Sequence, residues 1–338
     1  MTTVVIGREF DGNEKGRGMR LTTASASISG RSLPKQSPWH LNDRAIQNLF
    51  IWPALILLIA MNVFPLLYSL YLSFTNYSAV ANRPPVWVGL KNFADILMSA
   101  QMWDYFATTG RYALMDVGLQ TVIGFGLAML LRRKFFGSGM ITTLILVPMM
   151  ISPVVVGLFW KLIYNPNFGF FNYVVGAGNP ASGLDMLASR IANKPVPGLA
   201  LFAVVIVDVW MWSPFVMLLV LSGLNAIPDY LYEAAAIDRA SPWFQFWRIT
   251  LPQVAPLLLI AVLFRTIEAF KAFDLVMGMT GGGPGDQTEL IAVNLYRQAF
   301  LGTFRTGFSS ALAYIILIVI VAVSTLYIKY LNQMRGET

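Results

Sequence analysis

Residues 233–252 read Glu-Ala-Ala-Ala-Ile-Asp-Arg-Ala-Ser-Pro-Trp-Phe-Gln-Phe-Trp-Arg-Ile-Thr-Leu-Pro. The stretch is polar and helix-forming, yet long apolar runs flank it on both sides. Pro228 to Asp238 has the composition of a helix. Asp229 and Glu233 lie near its start, where negative charge suits the helix dipole, and three alanines follow. The chain must turn near Arg239-Ala240. Ser241 then caps a second helix with Pro242 at its first position. That helix carries Trp243, Phe244, Phe246 and Trp247 and runs to Leu251-Pro252. The expectation is a hairpin of two helices over 224–252. Its first helix is small-faced enough for another protein's groove, and its aromatic second helix is expected to pack on the protein's own spans. From the residues alone, a loop that only anchors its two neighbouring spans fits equally well.

The flanking runs define the class. Of 338 residues, 56% are hydrophobic and only 12% are charged, whereas a soluble domain is about one quarter charged. A hydrocarbon core of about 30 Å takes roughly 20 apolar helical residues. The runs are continuous rather than alternating, which predicts helices and not a barrel. The predicted fold is all-α: a polytopic membrane protein with six transmembrane helices, near 46–74, 105–131, 140–164, 199–223, 253–278 and 308–331. These lie in a domain over 45–338, behind a flexible, polar tail at 1–44. No apolar segment precedes the tail, so it is not read as a cleaved signal peptide. Leu90 to Trp103 has the spacing of a short interfacial helix, and Thr280-Gly-Gly-Gly-Pro-Gly ends the fifth span.

Six spans place both termini on one side, and the basic residues choose which. Seven lie in the tail, from Arg8 to Arg44, and Arg132, Arg133, Lys134, Arg239, Arg248, Lys329 and Arg335 lie on the same side. The opposite loops carry only Arg83, Lys91, Arg190, Lys194, Arg297 and Arg305. Both termini and the hairpin are therefore expected in the cytoplasm.

The composition also excludes chemistry. There is no cysteine, and the only histidine is His40 in the tail. Thiol catalysis, disulfides and cysteine metal sites are ruled out, histidine-based metal or triad chemistry is not expected, and no metal site is predicted. The net charge of +7 sits beside membrane spans and does not point to nucleic acid. Ionisable residues fall inside the spans: Asp116, Asp208, Arg265, Glu268, Lys271 and Asp274. Each costs roughly 2.5–3.5 kcal/mol at a helix centre, so each is expected to be paired or functional. The last four alternate in sign at three-residue spacing and can pair along one helix. Asp208, Trp210, Trp212, Phe270, Lys271 and Asp274 set aromatic faces beside hydrogen-bonding groups within the spans and are the candidate substrate-path residues, with core packing as the alternative for the aromatics. A secondary transporter carrying protons on Asp116, Asp208 or Glu268 is a competing reading.

The hairpin decides further. Glu233-Ala234-Ala235, then a turn at Arg239, then Ile249, Leu251 and Pro252 resemble in spacing the signature loop of ABC importer permeases. Leu221-Ser-Gly-Leu-Asn-Ala-Ile-Pro before it, and Phe264-Arg-Thr-Ile-Glu-Ala-Phe-Lys-Ala-Phe-Asp with Thr280-Gly-Gly-Gly-Pro-Gly after it, are similar to carbohydrate importer permeases of the maltose and glycerol-3-phosphate kind. The likeness covers about residues 46–335.

It implies a type I, MetI-like core in a bacterial inner membrane and a non-catalytic subunit. The implied partners are a second, related permease chain, two ATP-binding subunits, an extracytoplasmic solute-binding protein and a carbohydrate. By the same likeness, ATP and Mg are bound by the partner and no cofactor by this chain, which lacks a Gly-x-x-x-x-Gly-Lys-Ser/Thr motif. Glu233, Ala234, Ala235, Asp238 and Arg239 are the implied coupling residues. Glu233 would face a basic residue of the ATPase, and the alanines would permit close approach. Segments 165–198 and 281–305 are implied contacts for the binding protein. The family usually has glycine at the turn. Arginine there costs on the order of 1 kcal/mol in a left-handed conformation, so the expectation is a reshaped turn or a compensating contact.

Overall fold

A computed structural model of the protein describes residues 43–81, 84–133, 135–175, 185–191, 194–302 and 304–336. The predicted tail lies almost wholly outside these residues. Contacts divide the chain into two units, 1–59 and 60–338. In the first, the described residues form the start of helix α1 (Asp43–Ser73), with Phe50, Ile56 and Leu57 exposed.

Among the described residues, five helices are long and apolar enough to cross a membrane. They are Asn48–Ser73, Ala100–Leu131, Leu199–Ala226, Pro242–Phe270 and Thr306–Met334. A sixth uninterrupted span at 140–164 does not form. That segment is α4 (Ser138–Leu146), a 3₁₀ turn at Pro148–Met150, and α5 (Pro153–Ile163). Pro148 and Pro153 lack the N–H that would continue the ladder, and each ring crowds the carbonyl four residues back. Ser152 is extended, at φ −60 and ψ 133, as a residue before proline prefers. The short helix α2 (Lys91–Met98) precedes α3 (Ala100–Leu131), which starts earlier than predicted because the Ser99 side chain caps it by accepting from the Met102 N–H. Helix α6 (Phe170–Val175) and a two-residue antiparallel pair, β1 (Arg190–Ile191) with β2 (Lys194–Pro195), interrupt the segment before α7 (Leu199–Ala226).

The second half begins with α8 (Tyr230–Ile237) and α9 (Pro242–Gln245). The helix that carries span five starts well before Gln253. A π-helical turn at Phe246–Thr250 joins α9 to α10 (Leu251–Phe270), so one helix runs from Pro242 to Phe270. Pro252 explains the π turn: it cannot donate to Arg248, and the extra residue in the turn opens room for its ring. The span then breaks at 271–273 and resumes as α11 (Asp274–Met279).

The glycine-rich segment after α11 is ordered, not merely a break. Thr288 Oγ donates to the Gly283 carbonyl at 2.7 Å, and Arg297 Nη2 donates to the Gly281 carbonyl at 2.7 Å. Gly282 has φ +96, and a Cβ there would collide with the Glu289 carboxylate, so only glycine fits. Glu289 pairs with Arg297 at 3.0 Å and accepts from Asn294 at 3.2 Å. Burial pushes its carboxyl above the usual range, with Arg297 opposing the shift. Gln287 Oε1 accepts from Ser189 Oγ at 2.7 Å and from the Gly198 N–H at 3.1 Å, which ties this segment to the start of α7. Helices α12 (Ile291–Phe300) and α13 (Thr306–Arg335) complete the chain.

Helix α7 is the centre of the second unit: 61% of its most apolar window is buried, against 28% for α3 and for the Pro242–Phe270 helix. Its approach to α3 depends on Gly124, where a Cβ would lie 2.6 Å from Val216 Cβ and 2.8 Å from the Ser213 carbonyl. Small residues at such crossings let membrane helices pack closely without a hydrophobic driving force.

Candidate functional site

Helix α8 shows two faces. Ala235 is buried, and Leu231 and Tyr232 are half-buried against α7 and α10 side chains. Tyr230, Glu233, Ala234 and Ile237 are exposed, with Tyr230 at 64% and Ile237 at 82%. Their spacing puts them on one stripe of the helix. The carboxylate and the small alanine are thus flanked by two large apolar side chains. The sequence reading named Glu233 and Ala234 but missed Tyr230 and Ile237; their spacing of seven around the Glu-Ala pair was the available signal. Ala235 packs within the chain and lies outside the exposed stripe, at the floor of the groove between α8 and α9.

The hairpin is fixed from behind. The Tyr232 hydroxyl lies 2.9 Å from Thr250 Oγ1, and the Arg132 guanidinium sits 4.3 Å over the Tyr232 ring. The Arg132 end of α3 and the hairpin therefore share one end of the second unit. Ser241 accepts from the Phe244 N–H at 3.2 Å with Pro242 at the first helical position. The aromatic helix does not fully pack inward as expected. Phe246 meets Phe125 edge-on at 5.7 Å, whereas Trp243, Phe244 and Trp247 remain exposed. These three lie at a helix end beside a span, where aromatic rings suit the membrane interface.

The turn keeps its left-handed geometry. Arg239 has φ +54. The Ala240 N–H donates to the Ala235 carbonyl at 2.9 Å and the Arg239 N–H to the Ala236 carbonyl at 3.0 Å. That pair of bonds is the Schellman ending of a helix, normally built on glycine. The turn is not reshaped, and the exposed Arg239 side chain makes no hydrogen bond or ion pair among the described residues.

A second polar group lies inside the spans. It joins α3, α7 and α10 through Asp116, Gln120, Asp208 and Arg265, none more than 6% exposed. Arg265 Nη2 donates to Asp208 Oδ2 at 2.9 Å, and its Nε donates to Gln120 Oε1 at 2.6 Å. Gln120 Nε2 donates to Asp116 Oδ1 at 2.7 Å and to Asp208 Oδ2 at 3.0 Å. Asp116 Oδ2 is 3.7 Å from the guanidinium, and the Trp212 ring covers that guanidinium at 4.7 Å. Gln120 was missed in the sequence, although a polar residue four after Asp116 in an apolar span shares its face. The predicted ladder along span five has one rung, Glu268–Lys271 at 2.7 Å. Arg265 turns across to α7 and α3 instead, because a buried cation needs a buried anion while Glu268 is half exposed.

Of the sugar-path candidates, Asp208, Trp212, Lys271 and Asp274 gather around one polar cleft of about 90 Å³ at the break after α10. Trp210 faces the other way, meeting Trp160 edge-on at 5.5 Å beside an apolar groove between α3, α4 and α7. Phe270 lines a separate apolar groove with Phe273 and Tyr296. A small-molecule pocket commonly measures about 300–1,000 Å³, so the polar cleft is too small to enclose a sugar.

Comparison with known proteins places these features. Residues 120–335 match the family described as binding-protein-dependent transport system inner membrane component. A probable ABC transporter permease protein of Sinorhizobium fredii is 36% identical over 280 residues, covering 81% of this chain and 86% of the relative. The trehalose/maltose transport system permease protein of Thermococcus litoralis is 32% identical over 282 residues, covering 83% and 92%. The crystal structure of a bacterial ABC transporter that imports the acidic polysaccharide alginate matches at a TM-score of 0.70 and 17% identity, over 86% of this chain and 97% of that one. At that identity the last likeness concerns the fold alone.

Proposed function

The chain belongs to the family of binding-protein-dependent transport system inner membrane components, and on that premise we propose that it forms half of the path of an ATP-driven carbohydrate importer. The observation that carries the mechanism is the open stripe Tyr230, Glu233, Ala234 and Ile237 on α8, on the face opposite the one that packs against α7 and α10. A lipid anchor needs no carboxylate at the centre of its apolar face. A socket on another protein does: Ala234 admits a close backbone, Tyr230 and Ile237 fill apolar hollows, and Glu233 meets a cation.

In this reading the hairpin lies in the cytoplasm and docks in a cleft of a nucleotide-hydrolysing subunit that binds ATP and Mg. Both chain termini lie on that side, with α4, the 3₁₀ turn and α5 together making the sixth crossing. A second, related permease chain faces the polar cleft around Asp208, Trp212, Lys271 and Asp274 and completes the substrate path. A solute-binding protein docks on the opposite face, near segments 165–198 and 281–305. Closure of the ATP-bound subunits draws the hairpins together and opens the path outward, and hydrolysis reverses it. The unbroken helix from Pro242 to Phe270 supports this coupling, since it links the hairpin directly to the break at 271–273. The relatives named for trehalose and maltose support a sugar or sugar derivative as cargo.

Proteoliposomes containing the whole assembly test the proposal. Uptake of labelled sugar is expected only with ATP on the hairpin side and loaded binding protein on the other. Dissipating the proton gradient should leave it intact. Uptake that needs no ATP and collapses with the gradient would replace this scheme with a proton-coupled one.

A further inference from the structure

Arg239 is the hairpin residue whose backbone conformation its own side chain disfavours. Its φ is +54, a region natural to glycine and costly for a residue with a Cβ. The Schellman bonds from Arg239 and Ala240 hold it there, and the Gln245 side chain braces the turn by donating to the Ala240 carbonyl at 3.1 Å. Strained positions persist where their surroundings enforce them, and they cluster at functional contacts. Among the described residues no side-chain partner repays this one, and the exposed cation gains only from the negative end of the α8 dipole. The carbonyls of Ala235 and Ala236, which a cation at the end of α8 would otherwise solvate, already accept backbone N–H groups. The neighbouring Asp238 carboxylate is exposed and forms no ion pair with it among the described residues.

We propose that Arg239 is a partner-recognition residue, whose guanidinium meets a carboxylate on the nucleotide-hydrolysing subunit when the hairpin docks. The inference rests on the docking proposed above and adds the second half of its charge code. Arg239 and Asp238 border a groove of about 720 Å³ between α8 and α9, whose apolar floor includes Leu231, Ala235, Phe244 and Ile249. An occupant with an apolar side chain and a flanking carboxylate matches it. Glu233 asks for a cation on one side of α8, and Arg239 asks for an anion at the tip. This pairing favours a cognate ATPase over one whose cleft lacks the acid.

The test uses the full-length permease complex in lipid nanodiscs, titrated with its cognate ATPase over a salt series. Arg239→Gly is expected to weaken binding about tenfold and to flatten the salt dependence. Arg239→Glu should weaken it further, and Arg239→Lys should retain most of the affinity. Reversing the matching carboxylate of the ATPase should restore binding to Arg239→Glu. The glycine variant separates the roles, because glycine relaxes the turn: a purely structural Arg239 would leave affinity unchanged or raised. Unchanged or tighter binding by Arg239→Gly, with the same salt dependence, would overturn the proposal. If Glu233→Lys also binds and couples normally, the docking reading itself fails; if Glu233→Lys is uncoupled while Arg239→Gly is normal, only this inference fails.

Discussion

Arg265→Leu is expected to destabilise the folded permease by about 3–5 kcal/mol, the usual cost of breaking a buried ion pair from one side. The substitution leaves Asp208 and Asp116 without their cation in a site where neither is more than 6% exposed. It also leaves the Gln120 carbonyl without its donor at 2.6 Å. Thermal unfolding of the purified protein in detergent, read by tryptophan fluorescence, should show a marked fall in midpoint. The effect should be repaired by neutralising the anions. Arg265→Leu combined with Asp116→Asn and Asp208→Asn should recover most of the lost stability, since removing a whole buried charge set is often close to neutral. Failure of the triple variant to recover would mean that the guanidinium contributes mainly through packing under Trp212.

Glu233→Lys is expected to do the opposite: stability unchanged, transport lost. Glu233 is exposed on α8 and has no ion pair among the described residues, and such surface changes stay within about 0.5 kcal/mol. A lysine at the centre of the α8 stripe would put like charge against the basic residue proposed in the ATPase cleft, a juxtaposition that costs several kcal/mol at an interface. ATP-driven uptake in proteoliposomes should fall at least about tenfold, with membrane insertion and unfolding midpoint as in the parent. Normal uptake would remove Glu233 from the coupling contact.

The helical class, the membrane setting and the hairpin were legible because each rests on local chemistry. Apolar run length, the Ser241-Pro242 cap and the alanine-rich α8 speak through nearest neighbours. What stayed hidden is set by prolines and by contacts between distant elements. Pro148 and Pro153 split an apolar run that looks continuous by hydropathy. Pro252 reads as the end of the hairpin's second helix, yet a π turn carries the helix through it. The charges at 265, 268, 271 and 274 suggest a ladder along one helix, and nothing local says that Arg265 reaches Asp208, 57 residues away. The same holds for the sugar-path candidates. Trp210 and Trp212 are two residues apart, which on a helix turns them to nearly opposite faces; the structure assigns only Trp212 to the polar cleft.

The chain has no cysteine, so Ala234→Cys would carry a single thiol at the centre of the exposed α8 stripe. Its reaction with a membrane-impermeant maleimide, in oriented membranes with and without the cognate ATPase, tests most directly whether a partner grips the hairpin. The account predicts labelling from the cytoplasmic side in the permease alone and strong protection once the ATPase is bound. Labelling from the outer face, or equal labelling with the ATPase assembled, would contradict it.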